Sequence, residues 1–287
     1  MNVFFIVLSA FILSIFFNKI IIYLSKKYGW IEKVKKNRWH NREVAKFGGV
    51  AIFLSTMIVV LSLSQLTSFT IFFILASILV FILGFLDDLY DISPSSKMVF
   101  FICIAILCFN YDIKLIGSFP IFISLPFTIL WITGVINSIN IIDNMDGLSS
   151  GISSIALGFI SFIAYTQNSE YILVFSLSLL GANLGFLMLN FHPAKIFMGD
   201  SGSLFTGLAL SILSLKVAGN LPNVLATLLV PTLILAFPIF DIFLVTINRF
   251  LNNTPVSKGG VDHTSHRLVS LGLSERTAVL LLYLISV

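Results

Sequence analysis

Charged side chains are the scarcest class in this chain. Only 10% of its 287 residues are Asp, Glu, Lys or Arg, against 57% hydrophobic, and mean hydropathy is +1.03. A soluble domain carries roughly 25% charged residues, so the sequence reads as an integral membrane protein. Period-two alternation is missing too. The apolar runs are continuous, which disfavours a transmembrane barrel. Cys103 and Cys108 are the only cysteines; both lie in one apolar run without metal-type spacing and read as packing residues. The N-terminus lacks a basic segment and a small-residue cleavage site, and further spans follow, so the first span reads as retained. The length fits one helical bundle, and 1–287 reads as a single transmembrane domain. Phenylalanine, in contrast, is abundant at 29 residues, which suits lipid contact and is given no binding role.

A bilayer core needs about 20 apolar residues per helix. On that basis spans are expected near 2–24, 47–66, 69–86, 98–110, 119–139, 148–166, 171–189, 204–218, 223–247 and 276–287. The fourth and eighth are short. The last stops after about three turns, so the chain reads as truncated or as ending within the membrane. This is an all-α, polytopic architecture of about ten helices. Basic residues divide sharply between its loops. Lys26, Lys27, Lys33, Lys35, Lys36, Arg38, Arg42, Lys46, Lys97, Lys195, Arg249, Lys258, Arg267 and Arg276 fall in odd-numbered loops, and Lys114 alone in an even one. The positive-inside rule then places the odd loops in the cytoplasm and the N-terminus outside. The basic first loop, Ser25 to Lys46, suits an anchor on anionic lipid head groups and an attractor of anionic substrate.

Asp87, Asp88, Asp91, Asp143, Asp146, Asp200 and Asp262 come from four separate stretches, yet all fall at this cytoplasmic face. Charge near lipid is costly and is usually functional or solvent-facing, so one shared aqueous site for metal-assisted chemistry is expected there. In Leu83-Gly84-Phe85-Leu86-Asp87-Asp88, adjacent carboxylates repel, which raises one pKa or recruits a divalent cation. In the polar break from Asn137 to Leu148, Asn140, Asp143 and Asn144 can share a helical face, and Asp146 follows three residues after Asp143. Oxygen donors of this kind suit Mg²⁺ or Mn²⁺. In the stretch from Asn190 to Ser203, Pro193 breaks a helix. Ser201 and Ser203 are expected to cap the next one, whose N-terminus favours phosphate. His263 and His266 lie three apart, and Arg267 supplies a fork for diphosphate oxygens. No Cys or third His lies near them, which disfavours zinc. Asp241, inside the ninth span after Pro238, reads as a buried structural acid in preference to a wall of the site.

Taken together, FGG at 47–49, LGFLDD at 83–88, NSINIIDNMDG at 137–147, FMGDSGS at 197–203 and DHTSHRL at 262–268 resemble one family. It is the polyprenyl-phosphate N-acetylhexosamine-1-phosphate transferases (glycosyltransferase family 4), which include the phospho-N-acetylmuramoyl-pentapeptide transferases. The resemblance runs from His40 to Leu268. It implies a multi-pass protein of the bacterial inner membrane that acts on a UDP-N-acetylhexosamine and undecaprenyl phosphate with Mg²⁺, and releases UMP. By resemblance, Asp200 and Asn140 ligate the metal. Asp87 or Asp88 deprotonates or positions the lipid phosphate, which Lys97 contacts. Asp143 and Asp146 shape the nucleotide side, Lys46 lies on the substrate path, and His263, His266 and Arg267 hold the diphosphate. Membrane lipid is a partner, nucleic acid is not, and a homodimer is left open.

The chain departs from the family pattern in two places. Thr264 and Ser265 separate the two histidines, and Val44, Ala45 and Lys46 replace prolines before the Gly pair. The first departure disfavours the muramoyl-pentapeptide branch and leaves GlcNAc as the expected sugar. Two rival classes stay open at this point. Asp87-Asp88-Leu89-Tyr90-Asp91 matches the DDxxD pattern of intramembrane prenyltransferases. A cation-coupled transporter would use acids within its spans, a place that only Asp241 fills.

Overall fold

The computed structural model describes residues 2–32, 43–115, 119–254, 260 and 262–287. Lys33, Lys35, Lys36, Arg38, His40, Arg42 and Lys258 lie outside the described residues. The described chain is helical apart from two short strands. The helices are α1 (Val3–Tyr28), α2 (Gly48–Leu63), α3 (Ser68–Tyr90), α4 (Pro94–Asn110), α5 (Ile121–Ile142) and α6 (Leu148–Thr166). They continue with α7 (Glu170–Asn190), α8 (Gly199–Gly219), α9 (Val224–Ile234), α10 (Ala236–Leu251), α11 (Thr264–Ser270) and α12 (Glu275–Ser286). Six of these are long and apolar enough to cross a membrane, or seven if the bent pair α9–α10 is one span; α2 and α4 are shorter apolar helices. The protein is therefore an all-α membrane protein.

Each expected span coincides with a helix, with three differences. The ninth is broken: α9 and α10 meet at Leu235 with a bend of 79°. Pro238 has no N–H to give to the carbonyl one turn earlier, so the helix cannot run straight through. The eighth is not short, because α8 begins at Gly199 and runs for 21 residues. The third difference is α11, a short helix within the last long loop.

Burial sorts the helices into shells. α8 is 89% buried over its apolar window, whereas α1 is 22% buried and turns most of its surface outward. α8 packs against α2, α3, α5, α6 and α9. Lipid tails are as apolar as leucine, so helices in a bilayer associate through close packing of small residues and through interhelical hydrogen bonds. The sequence supplies both. Ser14 on α1 donates to the Ala182 carbonyl on α7 at 2.7 Å, and Ser161 on α6 donates to Ser176 Oγ on α7 at 2.9 Å. Some of the phenylalanines expected to face lipid face the interior instead. Phe53 of α2 stacks on Phe81 of α3 and meets Phe205 of α8 edge to face, with ring centroids 4.1 and 5.2 Å apart.

Two strands tie the first loop to the start of α8. β1 (Ile31–Glu32) pairs antiparallel with β2 (Val44–Ala45), and Ala45 also bridges to Ile196. Phe197 N–H then donates to the Ala45 carbonyl, and Gly48 and Gly49 donate to the carbonyls of Phe197 and Met198 at 2.9 and 2.8 Å. Gly49 has to be glycine. A Cβ there would lie 2.1 Å from the Gly202 nitrogen. The FGG and GDSG motifs are thus two sides of one backbone contact.

Candidate active site

Asp88 organises the centre of the site. It leaves α3 and places its carboxylate over the first turn of α8, where Oδ1 accepts the Asp200 N–H at 2.7 Å and Oδ2 accepts the Ser201 N–H at 3.0 Å. Four N–H groups at a helix start lack intrahelical acceptors and carry partial positive charge, so a carboxylate is stabilised there. This corrects the expected capping: Ser201 and Ser203 lie inside α8, and its N-cap residue, Met198, makes no side-chain cap bond. The position at which phosphate was expected holds the Asp88 carboxylate. Gly84, one turn before Asp88, lets α3 approach closely, since a Cβ there would lie 2.5 Å from the Asp200 carbonyl oxygen.

With Asp88 turned onto the backbone, Asp87 and Asp200 face each other across a lysine. Lys97 Nζ lies 2.5 Å from Asp87 Oδ2 and 3.0 Å from Asp200 Oδ2. Asp87 is buried at 6% exposure, and its other oxygen accepts the Ile92 N–H at 2.6 Å. Two carboxylates aimed at one cationic atom define a place for positive charge. The donors are hard oxygens, the kind Mg²⁺ takes, and the ammonium already there shows that the pair accommodates a cation. Asn140 stands beside the centre and donates to Ser203 Oγ at 2.9 Å.

A cavity of about 1710 Å³ opens from this centre. It exceeds the roughly 300–1,000 Å³ of a site for one small ligand, so it has room for two substrates. It brings together Lys46, Asp87, Asp88, Lys97, Asn140, Asp143, Asp146, Asp200, His263 and His266, which covers the sequence-derived candidates except Asp262 and Arg267. Arg267 is exposed and is absent from the lining; its Nε donates to the Asp262 carbonyl at 2.9 Å. Among the described residues, the arginine that lines the cavity is Arg249. It grips Asp262 in a two-bond fork at 2.8 and 2.7 Å, and this holds the Asp262 carboxyl below its usual pKa. The sequence placed Arg249 among the loop cations only; nothing in its spacing pointed to Asp262.

Other walls carry further groups that the sequence did not assign. Asp146 Oδ2 accepts the Ala194 N–H at 2.9 Å and lies 3.2 Å from His192 Nδ1, which is 3.3 Å from Glu275 Oε2 of α12. The three ligating atoms fall within 4.8 Å of one another, so this group too could hold a metal. Lys46 pairs with the buried Glu32 at 2.6 Å. Asn144 accepts from Ser265 Oγ at 2.9 Å and so docks α11. His266 is buried, and its pKa is pushed down by burial and by the neighbouring His263. Asp241 is buried and bonded to His263 and Thr264.

The architecture defines a polytopic all-α membrane protein with one polar cavity. The family model "Glycosyl transferase family 4" matches residues 70–218, and the chain belongs to that family. It is 37% identical over 295 residues to the probable undecaprenyl-phosphate N-acetylglucosaminyl 1-phosphate transferase of Bacillus subtilis, covering 96% of this chain and 81% of the relative. It is 30% identical over 256 residues to the undecaprenyl-phosphate alpha-N-acetylglucosaminyl 1-phosphate transferase of Thermotoga maritima, with 89% and 78% covered. A phospho-N-acetylmuramoyl-pentapeptide-transferase of Lactobacillus gasseri is 31% identical over 235 residues, with 72% and 74% covered.

Proposed function

We infer that this protein transfers N-acetylglucosamine 1-phosphate from UDP-N-acetylglucosamine to undecaprenyl phosphate in a bacterial cell membrane and releases UMP. The observation that carries this reading is the convergence of Asp87 and Asp200 on one cation position, within a cavity also lined by His263, His266 and Arg249. Two anionic substrates have to meet in such a reaction. A phosphate oxygen of the lipid attacks the sugar-proximal phosphorus, and the bond from that phosphorus to the UMP oxygen breaks. Phosphoryl transfer of this kind depends on charge neutralisation and in-line positioning more than on covalent protein chemistry, which supports direct attack.

Mg²⁺ (or Mn²⁺) held by Asp200 with Asp87 and Asn140 would neutralise diphosphate charge. Asp87 takes the role of positioning the lipid phosphate or accepting its proton, since its Oδ2 faces the side chain of Lys97 whereas both oxygens of Asp88 are engaged by α8 backbone amides. Lys97 supplies a cation to the phosphate. Asp143 and Asp146 shape the nucleotide side, and His263, His266 and Arg249 meet the diphosphate. The membrane arrangement that suits this chemistry has about ten spanning helices, an outside N-terminus and a cytoplasmic cavity. The interrupted histidines at His263 and His266 favour N-acetylglucosamine over muramoyl-pentapeptide.

The test uses the detergent-purified protein with undecaprenyl phosphate, Mg²⁺ and a panel of UDP-sugars. UMP release with UDP-N-acetylglucosamine, abolished by EDTA, is expected. Release with UDP-muramoyl-pentapeptide alone would reassign the sugar, and turnover of a prenyl diphosphate without UMP would replace the reaction class.

A further inference from the structure

One buried acid takes no part in the reaction described above. Asp241 lies within α10 at 1% exposure and is absent from the cavity lining. A charge in such a place costs several kcal/mol unless specific partners hold it. Asp241 has two. Its Oδ1 accepts the Thr264 N–H at 2.8 Å, and its Oδ2 lies 2.9 Å from His263 Nδ1.

These contacts decide the state of the imidazole. The Thr264 amide can only donate, and a carboxylate flanked by donors is favoured in its ionised, acceptor-only form. Ionised Asp241 requires the hydrogen of His263 to sit on Nδ1. The second ring nitrogen, Nε2, is then the one left for the cavity, which His263 lines. The segment around His263 is also held from both sides. Asp262 is clamped by Arg249, and Ser265 is bonded to Asn144.

We propose that Asp241 is a positioning residue for the transfer: from outside the cavity it fixes His263 in the Nδ1–H tautomer and turns Nε2 toward the diphosphate of the nucleotide sugar. The proposal rests on the assignment of His263 to diphosphate binding. Asp241→Asn tests it, because the side-chain amide so introduced can donate to Nδ1 and reverse the tautomer without changing shape.

The experiment measures kcat/KM for UDP-N-acetylglucosamine, with undecaprenyl phosphate saturating, for Asp241→Asn, His263→Gln and the double variant of the full chain. Partners that orient a functional histidine are worth roughly 10- to 100-fold, and a loss of that size is expected for Asp241→Asn. A residue acting through His263 adds nothing once His263 is gone, so the double variant should match His263→Gln within about twofold. Additive losses would mark Asp241 as merely structural and overturn the proposal, as would a fully active Asp241→Asn. Unchanged activity of His263→Gln would also overturn it, and would remove His263 from the diphosphate while UMP release by the unaltered protein kept the transferase reading intact. Should Asp241→Asn fail to fold, ¹⁵N-histidine NMR of the unaltered protein decides, with His263→Gln identifying the signal. A proton-bearing Nδ1 is expected, and a neutral ring with bare Nδ1 would overturn the assignment.

Discussion

The wall of the cavity built by α3, α4 and α8 and the wall built by α10 and α11 both depend on carboxylates, yet use them in opposite ways. On the first, Asp87 and Asp200 point at each other and make a place for positive charge, which Lys97 occupies. On the second, each acid is matched to a base: Asp241 to His263 and Asp262 to Arg249. The first wall is thus built to receive a cation, and the second to hold basic side chains in position for an anion. The proposed phosphoryl transfer needs both, and here they come from different helices around one cavity.

The largest effects are expected on the cation side. Asp200→Asn should lower UMP release by about 10³-fold or more, on the scale of losing a main electrostatic stabiliser of the transition state, while the protein still elutes as a folded species. Retention of even a tenth of the activity would move the cation site elsewhere. On the anion side, Arg249→Ala removes one member of a partly buried fork, and truncations of that kind cost about 2–5 kcal/mol. Its KM for the UDP-sugar should rise at least tenfold, measured against a small change for undecaprenyl phosphate. Equal losses on both substrates would erase the distinction between the walls.

A smaller effect concerns pH. The His266 pKa lies below 6.5 in the folded protein, chiefly through burial and then through His263. The unfolded chain therefore binds more protons as pH falls below 6.5, and folding stability drops there. Thermal melts in detergent should show a larger loss between pH 7.5 and 5.5, bracketing the ordinary His value of about 6.5, for the natural protein than for His266→Asn. The smallest effect is expected for Arg267→Ala. Its side chain is exposed and outside the cavity, so KM should change by less than about threefold, the scale of a surface substitution. A loss matching that of Arg249→Ala would return Arg267 to the diphosphate.

The first wall was more legible in the sequence than the second, for a physical reason. Asp87, Asp88 and Lys97 lie close in the chain, where adjacent acids at the end of an apolar run stand out. Asp200 sits beside glycines that announce a tight backbone passage. What could not be read was how Asp88 and Asp200 meet, since that contact spans 112 residues and depends on α3 lying against α8. The second wall offered less. A single Asp inside a span and an Arg in a basic loop are each common, and they gain meaning only when α10 brings Asp241 to His263 and Arg249 to Asp262. Nothing in the hydropathy of 223–247 marked the bend at Leu235 apart from its prolines.

The near-complete burial of α8 has a consequence for how the protein is made. A helix this enclosed presents its surface to other helices and very little to lipid. Of its neighbours, α2, α3, α5 and α6 precede it in the chain and α9 follows it, so synthesis delivers most of them to the bilayer first. The cation position needs Asp87 from α3 and Asp200 from α8. It stays incomplete until α8 has joined the helices made before it.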